Sequence, residues 1–267
     1  MTIEDLPRLP IDLPLATILT VVEEAREAIL HIYRGTTMAV EYKQDNSPLT
    51  LADRHSHAIL SEGLLRMAPR VPILSEEGQT SAWEVRRQWP YFWLIDPLDG
   101  TRDFVDHTDE FTINVALIHQ NRAIVGFLDV PMRATTYLGI EGQGAYRIGP
   151  QGQVTSISAA PCSPSQPLRC AVSRSHGTKE ASWMTSQGLS VSQWIQAGSA
   201  LKFALVAEGT ADIYPRLGPT MEWDTAAGHC LVEAAGGSVQ QLDDHGDLHY
   251  NRENLTNPAF VARGGVI

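Results

Sequence analysis

No run of apolar residues in this chain approaches the ~18 that a membrane-spanning helix needs, and the gap excludes an integral helical membrane protein. Basic residues are also scarce: 20 Lys and Arg stand against 31 Asp and Glu, for a net charge of −11. Such an excess excludes a nucleic-acid backbone as the main partner. It also means that any anionic small molecule must be met by local cations. Cysteine is rarer still. Cys162, Cys170 and Cys230 have neither zinc-type spacing nor the even count of a disulfide framework, so packing is their expected role. The nine histidines include His55-x-His57 but no His-Glu-x-x-His motif, and most are read as surface or capping residues. The opening Met-Thr-Ile-Glu-Asp lacks the basic head and apolar core of a secretory signal, so a cytoplasmic location is expected. There is no internal repeat and no low-complexity tract.

What is present is ordinary globular material, 43% hydrophobic and 19% charged. The 267 residues suffice for one large domain or two of about 100–150 residues each. One stretch carries unusual chemistry. The apolar run Tyr91-Phe92-Trp93-Leu94-Ile95 leads straight into Asp96-Pro97-Leu98-Asp99-Gly100-Thr101-Arg102. In a regular strand, positions three apart face opposite sides, so Asp96 and Asp99 could not share a ligand there. Asp-Pro-x-x-Gly favours a turn that brings them together. Converging anions repel each other unless a cation lies between them, which points to a divalent metal at a strand's carboxyl end. A second short apolar run, Val71-Pro72-Ile73-Leu74, ends in Ser75-Glu76-Glu77-Gly78 and supplies a further oxygen donor of the kind Mg²⁺ takes. Taken alone, Asp-Pro-x-x-Gly is also a common surface turn and Glu76-Glu77 a common solvated pair.

Apolar spacing predicts a helix over residues 14–33, with Ile18, Leu19, Val22, Ala25 and Ile29 on one face, and a second from Thr50 or Asp53 to about Arg66. Strands are expected at 38–42, 71–74, 91–95, 111–119, 122–130, 134–140 and 143–148, with hairpins near Asn121-Arg122 and Glu141-Gly142. Residues 150–167, rich in Gly, Pro, Ser and Gln, mark a junction between an N-terminal α+β half (1–150) and a C-terminal α/β half (151–267). Beyond it strands (168–173, 190–195, 211–214, 238–241) alternate with helices (178–187, 199–208, 223–235), as in helices packed on a parallel or mixed sheet. Glu222-Trp223-Asp224-Thr225 opens the last helix. Asp224 there is read as an N-cap, and Asp53 as a helix-start acid. The Asp224 position also suits a metal and phosphate site, and Asp53 is a candidate base for water.

Asp96-Pro97-Leu98-Asp99-Gly100-Thr101, with Glu76-Glu77 about twenty residues before it, Ala52-Asp53 upstream and Trp223-Asp224 near the end, resembles the ordered signature of the inositol monophosphatase-like, lithium-sensitive phosphatases. The resemblance runs from Ala52 to Pro258. Within that family Lys43-x-Asp45-x-Ser47-Pro48-Leu49-Thr50, Ser173-Arg174-Ser175-His176, Gly198-Ser199-x-x-Lys202 and Ala211-Asp212-x-Tyr214-Pro215-Arg216 resemble the branch that removes the 3'-phosphate of adenosine 3',5'-bisphosphate. The resemblance implies a layered α/β/α/β/α sandwich and two or three Mg²⁺ ions, with inhibition by Li⁺. Glu76, Asp96 and the Leu98 carbonyl would hold one ion, and Asp96, Asp99 and Asp224 a second. Asp53 would take the proton of the attacking water, with Thr101 as relay. Backbone N–H groups of Gly100 and Thr101 would orient the phosphate, and Asp224 would border the substrate as well as the metal. His176, Ser199, Lys202 and Arg216 would line the nucleotide pocket, with Arg174, Lys202 and Arg216 supplying local positive potential. The implied partner is a small nucleotide, with the 3'-phosphate of the related 5'-phosphosulfate as a second target and sulfur metabolism as the setting. An inositol or other sugar-phosphate phosphatase, and a nucleotide-binding protein without catalysis, are the competing readings.

Overall fold

A computed structural model describes residues 1–35, 40–42, 48–174 and 177–266. Helix α1 (Leu15–Tyr33) buries Ile18, Val22, Ala25 and Ile29 on one face, as their three- and four-residue spacing requires. Strands β1 (Val40–Tyr42) and β2 (Pro48–Thr50) pair antiparallel. Thr50 then caps α2 (Leu51–Met67), its hydroxyl accepting from the Ala52 N–H at 3.1 Å. Strand β3 (Ile73–Ser75), the short helix α3 (Trp83–Arg86), strand β4 (Tyr91–Asp99) and the short helix α4 (Thr101–Val105) follow. Five strands come next: β5 (Thr112–His119), β6 (Arg122–Val130), β7 (Thr135–Ile140), β8 (Gly144–Ile148) and β9 (Val154–Ile157). With β3 and β4 they form a seven-stranded sheet in sequence order, antiparallel except for the β3–β4 pair. Gln120 and Asn121 both take positive φ at the β5–β6 connection, the geometry of a tight two-residue hairpin.

The remaining elements are β10 (Pro161–Cys162), β11 (Leu168–Val172), α5 (Gly177–Ser186), β12 (Val191–Gln196), α6 (Leu201–Ala207), β13 (Ile213–Arg216), α7 (Glu222–Ala234), β14 (Ser238–Gln241), β15 (Phe260–Arg263) and β16 (Gly265–Val266). Five of them make a mixed sheet in the order β12-β11-β13-β15-β14. The sequence reading left residues 154–157 inside a junction and assigned nothing to 260–263. Strand β9 instead completes the first sheet, and β15 bridges β13 and β14. Both are short, with too little alternation to show in the sequence.

Side-chain alternation along β4 separates the layers. Trp93 and Ile95 pack with α1 and α2, whereas Phe92 and Leu94 pack with α6 and α7 and the five-stranded sheet. On the far side of that sheet Met184 and Trp183 of α5 pack on Cys170, Val172 and Ile213. The chain is thus a five-layer α/β/α/β/α sandwich. Each fully buried side chain such as Phe127 or Ile29 contributes about 1.5–3 kcal/mol, and the three cysteines belong to these cores as free thiols. Gly126 and Gly139 face each other across β6 and β7, where a Cβ on either would collide with the backbone of α7 at Ala227 or Leu231. The glycine pair lets the middle of α7 lie directly on the sheet. Among the described residues no helix is long and apolar enough to cross a membrane.

Candidate active site

Strand β4 runs through the whole Asp96–Asp99 segment, so the expected free-standing turn is instead an irregularity within the sheet. Asp96 pairs with Asn114 and Asp99 with Thr112, leaving one extra residue on β4. That bulge turns both carboxylates toward the same end of the strand. The Leu98 N–H donates to Asp96 Oδ1 at 3.1 Å, and the Ser56 hydroxyl donates to the Pro97 carbonyl at 2.7 Å, fixing the bulge from both sides. Gly100 follows at φ +89°, a left-handed conformation that favours glycine, and releases the chain into α4.

Other elements bring further acids to this edge. The Glu76 N–H donates to the Ile95 carbonyl at 3.1 Å, extending the β3–β4 pairing and setting Glu76 beside Asp96. Asp224 is the third residue of α7 and not its N-cap, as the sequence reading had it. Met221 occupies the cap position, and Asp224 Oδ2 accepts from the Met221 N–H at 2.8 Å. Asp53 does the same on α2, accepting from the Thr50 N–H at 2.8 Å and from the Thr50 hydroxyl at 2.6 Å. Its other oxygen accepts from Thr101 Oγ1 at 3.1 Å.

Burial is the largest influence on each member of this group. Burial pushes the Asp96 carboxyl well above the usual carboxylate range, and Glu76, Asp99, Asp224 and Asp53 push it further. Asp224 is raised by burial and then by Asp99. Asp99 is raised by burial against the pull of Lys202 and of the Ala200 N–H, which donates to it at 2.6 Å. Asp53 is raised by burial, with the Thr50 and Thr101 hydroxyls opposing. Among the described residues no group of three or more Asp, Glu, His or Cys side chains stands close enough together to hold a metal ion. What fits a hard divalent cation is the donor chemistry: carboxylate and carbonyl oxygens, buried and mutually repelling.

A cavity of about 350 Å³ opens beside these acids, lined by Asp99, Gly100, Arg102, Ser199, Lys202, Arg216 and Asp224 among others. Of its basic residues, Arg102 comes from the first half of the chain and Arg174, Lys202 and Arg216 from the second. Lys202 is 3% exposed and donates to the carbonyls of Ala197 and Ser199. Burial lowers its pKa to about 8, with Asp99 opposing. Arg216 donates to Ser173 Oγ at 2.9 Å and to the Pro219 carbonyl at 3.3 Å. Ser199, at φ +44°, sets its hydroxyl 2.8 Å from Thr112 Oγ1. Arg174 also lines the cavity, but Glu110 holds it in two 2.8 Å contacts. Burial opposes ionisation of Glu110, yet Arg174 and the Gly198 N–H outweigh it and keep that carboxyl below its ordinary value. His176, with Lys43, Asp45, Ser47 and Ser175, lies outside the described residues. Thr112, Asn114, Glu110 and Arg102 were not singled out by the sequence. Two of them had a visible signal, since Thr112 and Asn114 are polar positions in an otherwise apolar strand.

The layered sandwich and its acidic strand end define a class of metal-dependent phosphatases. The model of the inositol monophosphatase family matches residues 14–264, and the chain belongs to that family. The 3'(2'),5'-bisphosphate nucleotidase CysQ of Salmonella typhimurium strain LT2 is 42% identical over 238 residues, 88% of this chain and 94% of that protein. The CysQ of Aggregatibacter actinomycetemcomitans is 36% identical over 90% of each chain. Among solved structures, CysQ from Bacteroides thetaiotaomicron superposes with a TM-score of 0.78 at 35% identity, covering 93% of this chain and 96% of that one. An inositol monophosphatase of Thermotoga maritima shares the fold at TM-score 0.77 and 21% identity, over 94% and 92%.

Proposed function

We propose that this chain is a Mg²⁺-dependent 3'(2'),5'-bisphosphate nucleotidase, releasing phosphate from the 3' position of adenosine 3',5'-bisphosphate. One observation carries the chemistry: Asp96 is 1% exposed among four other carboxylates, beside a cavity walled by Lys202 and Arg216. The CysQ relatives support the choice of nucleotide. Glu76, Asp96, the Leu98 carbonyl, Asp99 and Asp224 would hold the ions, and Li⁺ would inhibit by entering the same oxygen site. When bound, Mg²⁺ supplies Lewis acidity to the phosphate and lowers the pKa of water.

The remaining steps fall to the protein. The Thr101 hydroxyl, already donating to Asp53, would accept the proton of the attacking water as its own passes to the Asp53 carboxylate. Burial raises the basicity of that carboxylate, which favours the transfer. The N–H groups of Gly100 and Thr101 would orient the phosphoryl oxygens while the water–phosphorus bond forms and the bond to the ribose 3'-oxygen breaks, that oxygen leaving as the hydroxyl with a proton drawn from solvent water. Lys202 and Arg216 would stabilise the charge that gathers in this cavity, and His176 and Ser199 would complete the nucleotide pocket.

Phosphate release from adenosine 3',5'-bisphosphate and from inositol 1-phosphate under Mg²⁺ tests the assignment. The nucleotide should turn over much faster, and faster hydrolysis of the inositol ester would replace it with the monophosphatase reading. Asp53→Asn should lower kcat by about 10²–10⁴-fold with little change in nucleotide KM.

A further inference from the structure

Four cations line the cavity: Arg102, Arg174, Lys202 and Arg216. A substrate with two phosphates brings a second dianion, which also meets Asp103 and Asp106 on the same cavity wall. Three of the four cations already have commitments. Arg174 is held side-on by Glu110 in two 2.8 Å contacts, the strong bidentate arrangement of guanidinium and carboxylate. Lys202 is buried, turned onto the Ala197 and Ser199 carbonyls and seated 5.3 Å from the Tyr214 ring centre. Arg216 is tied to Ser173 and Pro219. Arg102 is different. It is exposed, and its guanidinium has no hydrogen bond or ion pair among the described residues. It also stands two positions beyond Gly100, on the first turn of α4, next to the N–H groups assigned to the phosphate that is cleaved.

We propose that Arg102 anchors the second phosphate of the substrate, the one that is not hydrolysed, and so selects bisphosphorylated over monophosphorylated nucleotides. This rests on the nucleotidase reading. A guanidinium on a long stem can cap a phosphate bidentately from the cavity rim without desolvation deep in the protein. It also offsets the carboxylates of Asp103 and Asp106, which would otherwise disfavour a second dianion at that wall. Arg102 takes no part in the bond that breaks, so its effect falls on binding.

The experiment compares adenosine 3',5'-bisphosphate with adenosine 3'-monophosphate as substrates of the wild type, Arg102→Met and Arg102→Lys under Mg²⁺. Arg102→Met should raise KM for the bisphosphate about ten- to a hundredfold, leaving kcat and the monophosphate KM within about twofold. Arg102→Lys should fall between, keeping the charge but losing the fork. Calorimetry without metal gives a second readout. The wild type should bind adenosine 5'-monophosphate more tightly than adenosine, and Arg102→Met should bind both alike. An equal change in KM for both substrates, or none, overturns the role of Arg102 while the nucleotidase reading stands. A wild type that cleaves neither nucleotide overturns that reading and this inference together.

Discussion

Two buried acidic groups lie on opposite faces of the seven-stranded sheet, and one of them carries its own cation. Asp129 on β6 faces α1, where Arg26 grips it with Nη2 2.6 Å from Oδ1 and Nε 3.1 Å from Oδ2. Thr136 donates a further hydrogen bond at 2.7 Å. Asp96, two strands away, falls in register with Phe92 and Leu94 and faces α7. Its main influences are burial and other carboxylates. Burial pushes Asp129 up as well, but Arg26 and Thr136 pull it back. Arg26, in turn, is raised by its bond and charge contact with Asp129 against its own burial, the signature of an ion pair. A buried anion is tolerated when something neutralises it. On the α1 face the sequence provides the partner 103 residues away, and the result is structural. On the α7 face Asp96 is surrounded chiefly by further carboxylates, and the result is the arrangement proposed above to hold a metal.

Removing one acid from each face breaks this comparison most sharply. Asp99→Asn should cost at least ~10³ in kcat/KM, since it deletes a carboxylate assigned to the ions that polarise the phosphate. The metal-free melting temperature should hold or rise, because a repulsive charge is gone. Steady-state kinetics beside thermal melts check both halves; near-wild-type turnover would remove Asp99 from the metal set. Arg26→Ala should do the opposite. Stranding Asp129 without its partner should cost about 3–5 kcal/mol, or roughly 6–20 °C in a chain of this length. The surviving folded fraction should keep its kcat. The paired change Arg26→Met with Asp129→Leu should recover most of that loss.

Acidity offers a third test, this time without mutation. Asp96, Asp99 and Asp224 all have carboxyls raised by burial in the folded chain. Stability from such groups is full below the unfolded value near 3.8 and is lost as pH rises through the folded value. In chelator the melting temperature should therefore fall as the pH rises above about 4. Millimolar Mg²⁺ should flatten or reverse the trend by replacing protons with a cation. A metal-free melting curve that rises steadily toward neutral pH would contradict the raised carboxyls.

Much of this was legible in the sequence, for stated physical reasons. The 3.6-residue spacing of Ile18, Val22, Ala25 and Ile29 and the continuous apolar run into Asp96 give α1 and β4, because burial on one face or both imposes those patterns. Glu76, Asp96 and Asp99 could be singled out because each follows a short apolar run, whereas Asp224 was read as a helix cap and joined the set through the family resemblance. Three kinds of feature were not legible. The bulge in β4 was read as a turn, since Asp-Pro-x-x-Gly has the same spelling whether or not the strand continues beyond it. The N-cap of α7 was placed at Asp224 and not at Met221, because an acid marks a helix start in either position, although here it accepts from the N–H of the cap residue itself. The pairs Arg26–Asp129 and Arg174–Glu110 join residues 103 and 64 positions apart, and no local pattern encodes such a match. Arg174 was therefore counted as part of the basic wall before its charge was known to be shared with Glu110.

The finest contrast lies in two threonines, one beside each acidic group. Thr136 Oγ1 donates to Asp129 Oδ1 at 2.7 Å and accepts from Arg26 Nη2 at 3.0 Å, so both its bonds involve charge. Thr112 Oγ1 lies 2.8 Å from Ser199 Oγ and only distantly, at 3.5 Å, from Asp99. Valine replaces either residue with nearly the same shape and with no loss of strand propensity. Thr136→Val should then cost about 1.5–3 kcal/mol, the range for hydrogen bonds to charged groups, and Thr112→Val about 0.5–1.5 kcal/mol. The second variant should also need more Mg²⁺ for half-maximal activity, because Ser199 and Asp99 lose a shared tether, whereas the first should not. Chemical denaturation with a Mg²⁺ titration separates the two outcomes. Equal stability losses with unchanged Mg²⁺ dependence in both would mean that the faces differ in fold alone and not in their demand for a cation.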